Sequence, residues 1–132
     1  MEKEFIPYEQ ALALKELGFD NTCHAYYSQY RNKDIHLKDL GLCNRLGISE
    51  ENVLAPLYQQ AFRWFREKYN LHQDISTFVW DYDKEQLGFS LRTYLNPLNT
   101  TTEKKVHPEV YETYEEAELA CLIKLIEIVR NG

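Results

Sequence analysis

Seven side chains in this sequence are of the types that ligate metals or act as nucleophiles and proton carriers: Cys23, Cys43 and Cys121, with His24, His36, His72 and His107. None of them stands at C-x-x-C or H-x-x-x-H spacing, so no zinc-ligand pattern is present. Cys23 and His24 are adjacent, and adjacent residues of a strand point to opposite faces, where they cannot share one ion. A Cys–His nucleophilic pair would have to be assembled from distant parts of the chain, and no local motif announces one. Cysteine is among the residues most often buried, so Cys121 is expected in the core and Cys23 and Cys43 partly buried.

Asp81, Asp83 and Glu85 alternate, which would set Asp81 and Asp83 on one side of a strand as paired carboxylates or cation ligands. A calcium loop begun at Asp81 would require glycine at its sixth position, where this chain has Gln86, so the run reads as a solvated strand end. Arg63 and Arg66, with Gln59 and Gln60, form a polar helix face and are the candidate anion-binding residues, although Glu67 lies in the same patch. The glycines at 18, 41, 47, 88 and 132 never cluster into a phosphate-cradling loop. The sequence therefore assigns no catalytic residue, metal or cofactor, and leans away from an enzyme.

The one compositional excess is aromatic: ten tyrosines, six phenylalanines and two tryptophans. Aromatic side chains anchor protein interfaces and stack on bases, and the candidate partner-binding residues are Trp80, Tyr82, Arg92 and Tyr94. Fifteen basic against twenty-one acidic residues leave a net charge of −6, which repels a phosphate backbone and makes duplex DNA a poor partner. A protein partner or self-association is the better expectation.

Positioning these residues falls to a small set of elements. Pro7 suits a first helical position, Tyr8 to Leu17 continues as helix, and Gly18 is the left-handed stop, with Phe19 folding back on Leu14. Cys23 to Tyr30 reads as a strand, and Arg31 to Asn52 as an irregular connection. Pro56 opens a second helix, in which Leu57, Tyr58, Ala61, Phe62, Trp64, Phe65 and Tyr69 share one arc and Gln59, Gln60, Arg63, Arg66 and Glu67 the other. Asp74 to Asp83 and Gly88 to Leu95 form a hairpin through Asp83–Gln86, with Phe78, Trp80 and Tyr82 alternating against Val79. Asn96 to His107 has no periodicity and is expected to be mobile. Thr113 and Glu116 give a capping-box pattern before a last helix, Tyr114 to Val129, whose wide apolar arc predicts packing on two sides.

This order predicts a single domain over residues 1–132 of α+β class, a three-stranded antiparallel sheet with three helices packed mainly on one face. The uncovered face would then serve a partner or a second copy, a homodimer being the simplest closure. No apolar run approaches the ~20 residues of a membrane span, and Met1 to Phe5 lacks the features of a secretory signal, so no membrane association and a cytoplasmic location are expected. An odd number of widely spaced cysteines fits reduced thiols there, where the sequon at Asn99 has no meaning.

Three blocks, Ile6 to Phe19, Ala61 to Tyr69 and Tyr114 to Leu122, resemble a group of small uncharacterised proteins carried by phages and prophage-like regions of gut bacteria. The group has no known activity or catalytic residues, so the resemblance implies a setting: a mobile-element protein of a bacterial cytoplasm. The missing chemistry, the aromatic excess and this resemblance together point to a non-enzymatic accessory or protein-interaction domain. A nucleic-acid-associated protein and an enzyme with an unrecognised site are the alternatives.

Overall fold

Local chemistry decides the first turn of structure. Pro7, extended at φ −65° and ψ 159°, accepts the amide of Ala11 at 2.9 Å and so caps helix α1, Tyr8–Glu16. It stands one position before the helix instead of inside it. At the other end Gly18 has φ 97°, the left-handed region that a Cβ penalises. Its amide reaches the carbonyl of Lys15 at 3.0 Å, and the Phe19 amide reaches that of Leu14 at 2.9 Å, the paired bonds of a Schellman stop. Leu14 and Phe19 are both buried, as the sequence predicts.

The computed structural model describes residues 4–28, 35–37, 52–81, 86–95 and 105–131, and of 35–37, 78–81, 86–87, 94–95 and 105–109 it describes the backbone. The chain is α+β and divides into two compact units, Met1–Ala61 and Phe62–Gly132. The described residues include three helices and two three-stranded antiparallel sheets.

In the first unit α1 is followed by β1, Ala25–Tyr27, β2, Ile35–Leu37, and β3, Val53–Leu54. β1 is central and pairs antiparallel with both others. The strands are short, and ties outside the ladder supplement them. Phe5 bridges Leu57, Ile6 donates to the Pro56 carbonyl at 3.0 Å, and Ala55 donates to that of Ala25 at 3.0 Å. The Tyr27 hydroxyl donates to the Ile6 carbonyl at 2.7 Å while its ring meets Tyr8 edge-on, so one side chain satisfies a backbone acceptor and covers a helix start. Phe5, Ala25 and Ala55 form one buried cluster of the unit's core, against which Tyr27 and Leu57 pack.

The boundary between the units falls within helix α2, Tyr58–Tyr69. Its N-terminus is capped by the backbone of Leu57, whose carbonyl accepts Ala61 and whose amide donates to Gln60 Oε1 at 2.9 Å. Pro56 thus precedes the cap and does not open the helix. Tyr58, Ala61, Phe62, Trp64 and Phe65 are buried and Gln59, Arg63 and Glu67 exposed, the division that the sequence wheel predicts. Asn70, at φ 54°, ends the helix as the left-handed residue that glycine usually supplies, and β4 begins at the next position.

The second unit holds β4, Leu71–Asp81, β5, Gln86–Leu95, β6, Lys105–Tyr111, and α3, Tyr114–Asn131. The strands form an antiparallel meander with β5 in the centre, and α3 packs against all three, most closely on β5. Thr113 Oγ1 accepts the Glu116 amide at 3.1 Å, the capping bond that the sequence predicts. Ala117, Cys121, Leu122, Leu125 and Ile126 make one fully buried stripe, whereas Leu119, Ile123, Ile128 and Val129 are half-buried. One face of α3 therefore carries the packing, with partly covered flanks in place of two buried sides.

Several expectations change. The hairpin forms, but its third strand is β6 and not the Cys23–Tyr30 segment, of which Ala25–Tyr27 pairs in the sheet of the first unit. Residues 105–107 are strand, whereas 96–104 lie outside the described residues. So do Tyr82, Asp83 to Glu85, Cys43, and most of the connection read as irregular, in which β2 forms. The register slips between Val79 and Asp81, which leaves Trp80 as the extra residue of a bulge and interrupts the alternation through Phe78 and Trp80.

Candidate functional site

Edge strands expose unpaired backbone groups, and β6 is an edge strand of the meander. It contains Pro108, which has no amide to offer a ladder. Phe89 pairs with Tyr111 but Leu91 with His107, so β6 is displaced relative to β5 on either side of this proline. A proline and a slipped register are devices that discourage strand addition, so recognition at this edge falls to side chains.

Two side chains are positioned for it. Among the described residues Val110, 53% exposed, and Tyr114, 41% exposed, are the large apolar groups left to solvent. Val110 is the penultimate residue of β6 and Tyr114 the first of α3, so strand end, cap and helix start form one corner. The Tyr114 ring stands edge-on to Phe89 at 5.8 Å, which fixes it on the central strand while it faces water.

The corner is acidic. Glu109, Glu112, Glu115, Glu116 and Glu118 fall in one stretch, and no lysine or arginine occurs between Lys105 and Lys124. Glu112, Glu115 and Glu116 are exposed, and the last two suit the positive end of the helix dipole. Glu118 is half-buried, and burial, then repulsion from Glu115, raises its pKa above the ordinary value. Burial and the charges of Glu118 and Cys121 likewise raise that of the Tyr114 hydroxyl. The arrangement disfavours further negative charge and favours a cation.

The sequence-derived candidates are dispersed. Arg63 Nε pairs with Glu67 Oε1 at 2.9 Å with both side chains exposed, so its charge is locally compensated. Half-buried Arg66 donates to Gln73 Oε1 at 3.2 Å and, after burial itself, lowers the pKa of His72. Gln60, assigned to the same anion-binding face, instead joins backbone groups, accepting from Leu57 and donating to Thr22 at 3.3 Å. Lys68 lies over the Trp64 ring at 5.0 Å. With Arg66 it places positive charge in the last turn of α2, where the helix dipole is negative, a structural use of these cations.

Of the candidate partner-binding residues, Arg92 is exposed on β5 and stands across from Asp74 in the register. Tyr94 pairs with His72, Trp80 occupies the bulge, and Tyr82 lies outside the described residues. Cys23 and Cys121 are buried free thiols. Burial, with Asp74 and Glu118 adding to it, pushes the Cys121 thiol up to about 12, which keeps it protonated and unreactive at neutral pH. Among the described residues no three His, Cys, Asp or Glu side chains are grouped to hold a metal ion, and no helix is long and apolar enough to cross a membrane.

Sequence reasoning missed Val110 and Tyr114. Tyr114 looks like one more aromatic at the head of an apolar helix, and Val110 is an isolated apolar residue two positions beyond Pro108. The signal that marks the corner is the concentration of glutamates around them, with no lysine or arginine among them. No family model, curated protein or solved structure matches this chain.

Proposed function

We propose that this protein is a non-enzymatic accessory or protein-interaction domain that docks a partner at the corner between β6 and α3. The observation that carries the reading is the exposure of Val110 and Tyr114, the large apolar side chains that the described fold leaves in water. Aromatic side chains held rigid from below supply contact area at little entropic cost, which suits Tyr114 on Phe89. The surrounding glutamates favour a partner that brings an apolar tip flanked by positive charge. The resemblance of three helical blocks to phage-borne proteins supplies the setting, a protein of phage or prophage origin working in a bacterial cytoplasm.

The same reading has α3 covering one face of the β4–β5–β6 sheet. The opposite face, with Arg92 and the register positions of Trp80 and Tyr94, would be a secondary contact surface, including contact with a second copy. Nucleic-acid association is less well supported, because the net charge is −6 and Arg63 and Arg66 are engaged by Glu67 and Gln73.

A photoreactive phenylalanine analogue at position 114 tests the proposal, with the same group at exposed Glu127 of α3 as the control. A discrete crosslinked product in cells at 114, absent at 127, is the expected result. Equal products at both positions, or none at either, would overturn it.

A further inference from the structure

We draw no further inference here: the strongest candidate, the cluster of Tyr114, Glu118 and Cys121 in the first turns of α3, rests on the shifted ionisation of its members alone, with nothing in the structure to show what would occupy it.

Discussion

Replacing Leu122 by alanine tests whether α3 carries the core of the second unit. Leu122 is fully buried, in a stripe with Ala117, Cys121, Leu125 and Ile126 against the meander. The substitution removes the buried isopropyl group and leaves a cavity between a helix and a sheet that relax only partly, so the cost is ~2–5 kcal/mol. Set against a total stability of about 5–15 kcal/mol for a domain, that is a large fraction of the whole. At roughly 3–6 °C per kcal/mol for a chain of this size, the midpoint should fall by on the order of 10 °C or more. Both tryptophans, Trp64 and Trp80, lie in the same unit as Leu122, so their fluorescence during urea unfolding reports on it. Half-buried Leu119 on the same helix is the internal comparison, because its truncation removes less buried area and should cost less. Stability within ~0.5 kcal/mol of the parent for both Leu122→Ala and Ile126→Ala, the level of an ordinary surface change, would refute the reasoning.

Gly18→Ala places a Cβ at φ 97° and should destabilise by roughly 1 kcal/mol, measured by chemical denaturation, whereas Asp20→Ala, at an exposed position two residues on, should be nearly neutral. Glu118 has a folded pKa raised above 4.5, so the folded chain binds its proton more tightly than the unfolded one. Its penalty is present above the folded pKa and is relieved as pH falls through that value towards 4.5. Glu118→Gln should therefore raise the melting temperature at pH 7 and remove part of the gain on acidification; an unchanged pH profile would contradict this. Cys121 should resist a thiol reagent at pH 8 in the native state and react once denatured, with peptide mapping to assign the label, because burial holds its thiol at about 12.

The elements that were legible in the sequence are those whose signals are local. The Gly18 stop needs only residues 14–19, and the Thr113 cap only residues 113–116, because both are made of bonds across one helical turn. The apolar arc of α2 was legible for the same reason, since helical periodicity repeats within the segment itself. The sheet of the first unit was not, because β3 has two residues and β2 three, too few to show a period of two. Their existence depends on β1, which is distant in sequence. β6 was hidden by Pro108, which demotes a run as a strand although an edge position tolerates it. The candidate site was hidden more deeply: whether Val110 and Tyr114 face water depends on what α3 and β5 cover, which no local pattern encodes. Gln60 shows the converse, a residue of polar type that folding commits to two backbone partners.

The join between α2 and β4 consists of one residue, Asn70, with the helix ending at Tyr69 and the strand starting at Leu71. A joint this short has no slack to absorb a change in length. Deleting one residue there would shift β4 by one against β5 and exchange its two faces, bringing side chains such as His72 and Asp74 to the places now held by Leu71 and Gln73, and an insertion would exchange the faces by the opposite shift. Length variation should therefore be strongly selected against between Tyr69 and Leu71. An engineer seeking an insertion point would avoid that joint and would keep asparagine or glycine in it, since only these hold the left-handed conformation at low cost.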